Sequence, residues 1–276
     1  MMNNQNHAEP SVVNGLSRRL ATLAEWVPQG AQLADIGTDH ALLPVYLAGR
    51  GKIAFAVAGD LYDGPLQAAR RQVAAAGLTG RIDVRQGDGL AVIRPGEVDT
   101  VCMAGMGGGL ITRLLTDGAD RLSSVRTLVL SPHGAEYAVR QWLMDNRYLL
   151  QQELLLEEDG VIYTLMKAVR ASDEEETAAF HRRLYDEKLL APCAERIPMP
   201  MLLEMGPILL RAGGREFHAK WEQEIAKRKR AIGQMRKSAS PKTAAKISRW
   251  EEDIAIITEV LACLPKEKRS FNAWNG

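Results

Sequence analysis

Four strands predicted in the first 105 residues each end in a turn that combines glycine with small or acidic residues. These turns are Asp35-x-Gly37, Gly59-Asp60, Gly87-Asp88 and Ala104-Gly105. Glycine lets a ligand approach the backbone, and a carboxylate after the second strand can accept hydrogen bonds from both ribose hydroxyls. Asp60 lies 25 residues after Asp35, about the spacing expected for that acid. The pattern predicts a nucleoside-binding site.

The sequence of the turn after the first predicted strand indicates which nucleoside cofactor the site binds. It consists of Gly37-Thr-Asp39-His-Ala41 and lacks the G-x-G-x-x-G fingerprint of a dinucleotide site. An anionic turn suits a ligand with a cationic amino or sulfonium group better than a pyrophosphate, and S-adenosylmethionine is such a ligand. Asp88 could then accept from the adenine amine. Asp60 or Asp88 alone would more often cap a helix or a turn, so the inference depends on the four turns together.

Two histidines and one further acid are candidates for contact with the reaction. Asp39 and His40 follow the first predicted strand, and His40 is equally compatible with a packed or solvated helix start. His133 follows the fifth predicted strand and is a candidate substrate contact, because loops at this edge often carry function. These three residues therefore stay candidates at the level of the sequence alone.

The elements that position these residues alternate between strand and helix. The predicted strands are 31–36, 53–58, 81–86, 98–104 and 128–130, followed by a pair near 149–156 and 161–168. This alternation predicts an α/β fold with a mostly parallel sheet, and the last two strands predict an antiparallel hairpin at its edge.

The composition changes after residue 171, and the remaining chain has a helical pattern. The apolar residues Ile247, Trp250, Ile254, Ile257, Leu261 and Leu264 recur at alternating steps of three and four, which is a coiled-coil seam. A rougher seam consists of Phe217, Trp221, Ile225, Ile232 and Met235. We expect two long helices in an antiparallel pair, separated by Ser238–Pro241, with Trp221 and Trp250 serving in packing.

Length and composition set the domain organisation. The chain has 276 residues, of which 46% are hydrophobic and 25% charged, as in ordinary soluble globular proteins. The polar start is unlike a signal peptide, and no apolar run reaches the roughly 18 residues of a membrane span. We therefore expect a cytoplasmic protein with a disordered segment 1–14, a Rossmann-like domain 15–170 and a helical domain 171–276.

Charge is concentrated in the helical part. Residues 211–249 contain 12 basic and 3 acidic side chains, a block that a polyanion would attract. Its centre is the run Lys227, Arg228, Lys229 and Arg230, which we expect to follow the phosphates of an RNA. The alternative is a solvated face of the coiled coil.

The three cysteines show no pairing pattern. Cys102, Cys193 and Cys263 are far apart and lack CxxC or Cys/His spacing, which argues against both a zinc site and a disulfide framework. Cys102 lies within a predicted strand, so we expect it to serve as buried packing.

Several stretches resemble the bacterial TrmK-type tRNA (adenine-22-N1)-methyltransferase family. They include LSRRLATLAEWVPQGAQLADIGTDHALLPVYL, GRIDVRQGDGLAVI and DTVCMAGMGGGLI, and the resemblance covers about residues 16–265. The motifs Asp-His-Ala-Leu-Leu-Pro and Ala-Gly-Met-Gly-Gly are specific to it. One departure is Ser131-Pro132-His133, where the family tends to have Gln-Pro-Asn.

The resemblance implies a class I, Rossmann-like S-adenosylmethionine-dependent methyltransferase domain with a C-terminal all-helical coiled-coil domain, acting on tRNA. We separately expect no metal and favour a monomer. The implied cofactor contacts are Asp35, Gly37, Asp60, Leu61, Asp88, Gly89, Ala104 and Gly105. The implied catalytic residues are Asp39 and His40. The implied substrate contacts are Met106, Gly107 and Gly108. His133, Lys227, Arg228, Lys229 and Arg230 are candidate substrate contacts from their own positions and charges, not from the resemblance.

Three other functions stay open at this point. A methyltransferase acting on another RNA or a small molecule would use the same N-terminal site, although a small-molecule enzyme has no evident use for the basic helices. A nicotinamide-dependent oxidoreductase would need the missing dinucleotide fingerprint. A non-catalytic RNA-binding protein would leave the four ligand-like turns unexplained.

Overall fold

The computed structural model describes residues 12–13, 15–237 and 241–267. Its contacts divide the chain into two compact units that interleave in sequence. Unit 1 contains Met1–Met106, Arg113–Ser131 and Leu156–Leu165, and unit 2 contains Gly107–Thr112, Pro132–Leu155 and Met166–Gly276. The domain boundary at 170/171 stays a prediction.

The N-terminal strands lead directly into the first helix. Strands β1 (Val12–Val13) and β2 (Leu16–Ser17) pair antiparallel, and helix α1 spans Arg18–Trp26. The Ser17 hydroxyl accepts a hydrogen bond from the Leu20 amide (3.3 Å), which satisfies a donor left open at the helix start. The disorder predicted for 1–14 is wrong for Val12–Val13, and the rest of that segment lies outside the described residues.

A seven-stranded sheet follows, and its strands alternate with helices. The elements are β3 (Ala31–Ile36), α2 (Leu42–Gly49), β4 (Ile53–Asp60), α3 (Asp63–Ala75), β5 (Ile82–Gln86), β6 (Thr100–Met106), α4 (Gly108–Asp117), β7 (Thr127–Pro132), α5 (Glu136–Asp145), β8 (Tyr148–Glu158) and β9 (Val161–Arg170). The strand order is β5-β4-β3-β6-β7-β9-β8. Strand β3 runs parallel to β4 and β6, and β4 runs parallel to β5. The predicted strand–helix alternation is confirmed.

The central strands are apolar because both of their faces are buried. Leu33, Val57, Val101 and Val129 have no exposed surface, as expected for parallel strands covered by helices. The register places Asp35 of β3 opposite Cys102 of β6, a pairing that brings the first acidic turn to the middle of the sheet.

The edge hairpin forms as predicted. Strands β8 and β9 are joined by Asp159 and Gly160, which both have left-handed backbone conformations (φ 51° and 76°). Two consecutive left-handed residues match the twist of a tight antiparallel hairpin. Strand β8 occupies the edge of the sheet.

The last five helices lie in unit 2. They are α6 (Glu174–Leu184), α7 (Met199–Met205), α8 (Pro207–Ala212), α9 (Arg215–Met235) and α10 (Pro241–Cys263). Asp173 caps α6 by accepting from the Glu176 amide (2.8 Å). No described helix has the length and hydropathy required to cross a membrane.

The pair α9 and α10 is antiparallel, as predicted. Arg228 bonds Asp253, and Arg236, further along α9, bonds Glu251, which precedes Asp253 on α10. On α10, Ile257 is fully buried, whereas the seam positions nearer the start of the helix are only half-buried. Coiled-coil packing along the whole seam therefore stays a prediction, and residues 238–240 of the predicted separator lie outside the described residues.

A fully buried ion pair ties several elements of unit 2 together. The Arg140 Nε lies 2.6 Å from Glu153 Oε1, and Arg140 Nη1 donates to the Leu203 carbonyl (2.6 Å) at the end of α7. Glu153 Oε2 accepts from the Ile208 amide (3.3 Å) at the start of α8. Gly206, between α7 and α8, has φ 90°, and a β-carbon there would lie 2.7 Å from Arg140 Nη2.

The cysteine prediction is corrected. Cys193 and Cys263 form a disulfide with a Cα–Cα distance of 5.7 Å, although 70 residues separate them. Cys193 lies in the loop between α6 and α7 and Cys263 ends α10, so only the folding of unit 2 brings them together. Cys102 is a buried free thiol, as predicted.

Candidate active site

The turn after β3 is held by backbone hydrogen bonds to β4. The amides of Gly37 and Thr38 both donate to the Gly59 carbonyl, at 2.8 and 3.0 Å. Gly37 has φ 71°, and a β-carbon there would lie 2.2 Å from the Cε of Met106. A side chain at Gly37 would therefore require both backbone strain and displacement of Met106.

Asp35 is a buried carboxyl group with an unusual ionisation. The Thr38 hydroxyl donates to its Oδ2 (2.7 Å), and the Cys102 thiol also hydrogen-bonds to it. Burial raises the pKa of Asp35 from 3.8 to about 6, and the hydrogen bond from Thr38 opposes this rise. Its charge therefore depends on the local environment near neutral pH.

Asp60 ends β4 and holds two backbone amides. Its Oδ1 accepts from Tyr62 (3.0 Å) and its Oδ2 from Asp39 (3.4 Å). Directly after it, Leu61 and Tyr62 are 47% and 69% exposed. A carboxylate followed by an exposed apolar surface can bind the ribose hydroxyls and cover one face of a purine.

Asp39 and His40 lie at the surface of unit 1. Asp39 has a left-handed backbone (φ 52°), and the side chains of Asp39 and His40 are 72% and 57% exposed. His40 Nε2 lies 3.4 Å from Asp39 Oδ1. His40 is therefore not a packed histidine, and its role in the reaction stays a prediction.

Three glycines near the strand ends have packing roles that the sequence did not reveal. A β-carbon at Gly59 or Gly87 would lie 2.6 or 2.9 Å from a Val92 methyl group, and one at Gly89 would lie 2.6 Å from Leu114. These glycines are therefore required by protein packing, whatever a ligand does. Asp88, between Gly87 and Gly89, is exposed.

The end of β6 is open. Ala104 is half-buried and Gly105 is exposed, and a β-carbon at Gly105 would meet nothing within 4 Å. Met106, predicted as a substrate contact, is half-buried and has its Cε against the Gly37 turn.

The loop that begins unit 2 contains two more predicted substrate contacts. The Gly108 amide donates to the Gly134 carbonyl (3.0 Å), and a β-carbon at Gly108 would lie 2.5 Å from the Ala135 carbonyl oxygen. Gly107 and His133 are exposed. The missing side chain of Gly108 thus makes room for neighbouring backbone, whereas a β-carbon at Gly109 would meet nothing within 4 Å.

The prediction for Arg228 is corrected. Its side chain is only 7% exposed and its guanidinium bonds three carboxylates, Glu204, Glu224 and Asp253. Burial raises the pKa of Glu204, and the charge of Arg228 opposes that rise. Because its donors are occupied inside unit 2, Arg228 is not available to a phosphate; Lys227, Lys229 and Arg230 are exposed.

The sequence contained a signal for this role of Arg228. The seam of α9 runs through Trp221, Ile225, Ile232 and Met235, and position 228 completes the alternating steps of four and three. Four consecutive helical residues also point in four directions about 100° apart, so a run of four cations cannot all face one side.

Arg19 is a further residue that the motif analysis missed. Its guanidinium carbon lies 4.9 Å from the centre of the Tyr163 ring, and its Nε and Nη1 are buried without a hydrogen-bond partner among the described residues. The position could have been noticed, because it lies on the apolar side of α1 between Leu16 and Leu23.

The residues of unit 1 fit S-adenosylmethionine. Asp35 supplies negative charge for a cationic group, Asp60 supplies a carboxylate for the ribose, and Leu61 supplies apolar surface. The unpaired nitrogens of Arg19 supply a cation. Across the described ranges, no three His, Cys, Asp or Glu side chains form a metal-binding group; the expectation that no metal is used stays a prediction.

Comparison with known proteins decides the family. Residues 33–259 match the family model TrmK, described as tRNA (adenine(22)-N(1))-methyltransferase. The chain belongs to the TrmK family. A curated TrmK-family member, the tRNA (adenine(22)-N(1))-methyltransferase of Bacillus subtilis, is 37% identical over 247 residues, which cover 89% of this chain and 97% of the relative.

Solved structures agree with this family membership and with the Rossmann-like methyltransferase fold. The structure of the B. subtilis M1A22 tRNA methyltransferase TrmK is 36% identical with a TM-score of 0.79, covering 89% of this chain and 98% of that one. A Streptococcus pneumoniae candidate tRNA (m1A22) methyltransferase in complex with S-adenosyl-L-methionine is 32% identical with a TM-score of 0.72, covering 89% and 99%. The predicted Rossmann-like methyltransferase fold and the family are confirmed.

Proposed function

We propose that this protein transfers a methyl group from S-adenosylmethionine to N1 of the adenine at position 22 of tRNA. The observation that carries the proposal is the TrmK family match across residues 33–259, which includes every acidic turn from Asp35 to Asp88. Its relative from B. subtilis is named for this reaction. The acidic turns of unit 1 and the basic surface of α9 support the same reaction independently.

The chemistry asks little of the protein beyond positioning. When bound, S-adenosylmethionine supplies an electrophilic methyl group, and N1 of adenine carries a lone pair. The main contribution of the protein is then proximity and in-line orientation. N1 also lies on the Watson–Crick edge, so the adenine must be unpaired or flipped out before it reacts.

We assign Asp39 a catalytic role because methylation at N1 creates positive charge on the base. A carboxylate near the developing cation lowers the energy of the transition state. Asp39 is exposed, and its amide is held by Asp60. In this proposal Asp60 both binds the cofactor ribose and fixes the backbone that carries Asp39. His40 supports the same carboxylate from 3.4 Å.

Open glycine positions provide space for a base. Gly105 and Gly109 have no neighbour within 4 Å of a hypothetical β-carbon. We propose that Met106, Gly107, Gly108 and His133 contact the target nucleoside, with Gly108 contributing through its fixed backbone. The three glycines differ in mutagenesis: a side chain at Gly109 meets nothing within 4 Å, one at Gly105 is strained by its φ of 78°, and one at Gly108 clashes with the Ala135 backbone.

The basic face of α9 is the proposed tRNA contact. Lys227, Lys229 and Arg230 are exposed, and the segment 211–249 has a large excess of positive charge. Phosphate contacts release condensed counterions, so binding mediated by these residues must weaken steeply as salt rises. The helical region 171–276 would then act as the tRNA-binding domain. We further propose that the protein is cytoplasmic and monomeric.

The decisive experiment is incubation with labelled S-adenosylmethionine and an unmodified tRNA transcript, followed by nuclease digestion and mapping of the labelled nucleoside. We expect N1-methyladenosine at position 22 and no label in a transcript with guanine at that position. Label at another nucleotide would contradict the proposed target. Absence of label from every tRNA, with S-adenosylhomocysteine still bound in calorimetry, would contradict the tRNA assignment while leaving the cofactor site intact.

A further inference from the structure

Arg19 lies at the edge of the sheet where the cofactor turns meet. Its amide donates to Glu158 Oε1 (3.2 Å), which ties the start of α1 to the end of β8, and its guanidinium covers Tyr163 at the start of β9. Helix α5 connects β7 to β8, and such a crossover makes β8 parallel to β7. The β8–β9 turn therefore lies at the carboxyl edge of the parallel strands, where ligands of this fold class bind.

The guanidinium of Arg19 is incompletely paired. Nε and Nη1 are buried and have no partner among the described residues, and an unsatisfied buried donor on a charged group carries a large desolvation cost. Two other guanidinium groups of unit 1 are paired: Arg85 bonds Glu97, and Arg121 bonds Asp120. The stacking on Tyr163 holds Arg19 in place without using its N–H groups.

The charge of Arg19 affects Cys102, which pairs with Asp35 at the proposed cofactor site. Cys102 lies opposite Asp35 in the sheet. Burial and the charge of Asp35 raise the pKa of the Cys102 thiol, and the positive charge of Arg19 opposes that rise. The charge of Arg19 therefore acts on the strand partner of Asp35, and it comes from α1, an element that contains none of the acidic turns.

The ligand chemistry calls for such a cation. The methionine end of S-adenosylmethionine carries an ammonium and a carboxylate group. Asp35 complements the ammonium, but Asp35 and Asp39 both repel the carboxylate, and the turn itself contains no basic residue other than His40. We propose that Arg19 binds the carboxylate of the methionine moiety through its unpaired N–H groups, and that it is a cofactor-binding residue.

The test compares two ligands that differ at this end of the molecule. S-adenosylhomocysteine retains the amino-acid moiety, whereas 5′-methylthioadenosine lacks both its ammonium and its carboxylate. Dissociation constants of both are measured by calorimetry on the full chain, directly or by competition, for the wild type, Arg19→Met, Arg19→Lys and the neighbouring control Arg18→Met. Thermal denaturation of each variant reports folding.

We expect Arg19→Met to weaken S-adenosylhomocysteine about 10- to 100-fold, the usual effect of losing a hydrogen bond to a charged group. The affinity for 5′-methylthioadenosine should change less than about twofold. Arg19→Lys should recover part of the loss, since it keeps the charge, and Arg18→Met should bind both ligands as the wild type does.

Two results would overturn the proposal. Equal weakening of both ligands by Arg19→Met would mean that Arg19 only holds α1 against Tyr163, and unchanged affinity for S-adenosylhomocysteine would mean that the carboxylate binds elsewhere. If Arg19→Met does not fold, Arg19→Lys decides: weaker binding of S-adenosylhomocysteine with unchanged binding of 5′-methylthioadenosine would support the proposal, and wild-type affinity for both ligands or equal weakening of both would refute it. The proposal rests on the cofactor, not on the tRNA target, so failure of the tRNA assay leaves this test valid.

Discussion

The same substitution at two neighbouring cations on α9 should change two different properties, the stability of the fold and the affinity for tRNA. We compare Arg228→Met with Lys229→Met, because each removes one positive charge and leaves a side chain of similar length. Arg228 is 7% exposed and bonds Glu204, Glu224 and Asp253, whereas Lys229 is exposed. The first should lower stability, and the second should weaken tRNA binding.

The loss of stability expected for Arg228→Met follows from the three carboxylates that it leaves without a cationic partner. Removing one partner of a buried ion pair typically costs about 3–5 kcal/mol. The three carboxylates are 18% to 32% exposed, so water offsets part of the cost and we expect about 3 kcal/mol. With roughly 2–4 °C per kcal/mol for proteins of this size class, Tm should fall by about 6–12 °C. Lys229→Met should change the free energy of unfolding by less than about 0.5 kcal/mol.

The loss of stability caused by Arg228→Met should also depend on pH. Burial raises the pKa of Glu204, and Arg228 counteracts this; without Arg228 the folded-state pKa rises further above the unfolded value. A carboxyl whose pKa is raised on folding stabilises the fold while it is protonated, and this contribution is lost as pH rises through the folded pKa. The loss of stability should therefore be larger at pH 8 than at pH 5.

The assays are denaturant unfolding at pH 5 and 8 and tRNA binding as a function of salt. Lys229→Met should reduce the slope of log affinity against log salt by about 1, and Arg228→Met should leave that slope unchanged at a temperature where it is folded. A wild-type stability for Arg228→Met together with a reduced slope would refute the assignment of Arg228 to the interior.

Three further predictions concern the candidate site and the fold. Asp39→Ala should slow single-turnover methyl transfer at least about tenfold, with less than a threefold change in S-adenosylhomocysteine affinity by calorimetry, because charge stabilisation matters only as the cation develops; equal transfer rates would contradict its catalytic role. The affinity for S-adenosylhomocysteine should rise about tenfold from pH 5 to 7, because Asp35, with its pKa of about 6, ionises and then attracts the ammonium group. If the same pH dependence persists in Asp35→Asn, a different group causes it. Gly206→Ala should lower the free energy of unfolding by about 2 kcal/mol or more, because its β-carbon would clash with Arg140 and Glu153, and chemical denaturation that matches the wild type would contradict this.

The sequence determined the order of elements and the kind of ligand. Alternating apolar runs and helical patterns predict β3 to β9 because local periodicity reports which face of each element is buried. The turns at Asp35 and Asp60 predict the cofactor site, because the carboxyl ends of parallel strands must meet at one edge. The specific Asp-His-Ala-Leu-Leu-Pro motif then identifies the family.

Only the tertiary structure decided how residues far apart in sequence meet. Nothing local to Arg228 indicates that Glu204 and Asp253 neutralise it, and nothing near Cys193 indicates its bond to Cys263. These partners lie 24 to 70 positions away, and long-range pairing depends on how whole helices pack rather than on any local pattern. The roles of Gly59 and Arg19 were hidden for the same reason: steric room and hydrogen-bond satisfaction are properties of the packed neighbourhood, which the sequence encodes only through the complete fold.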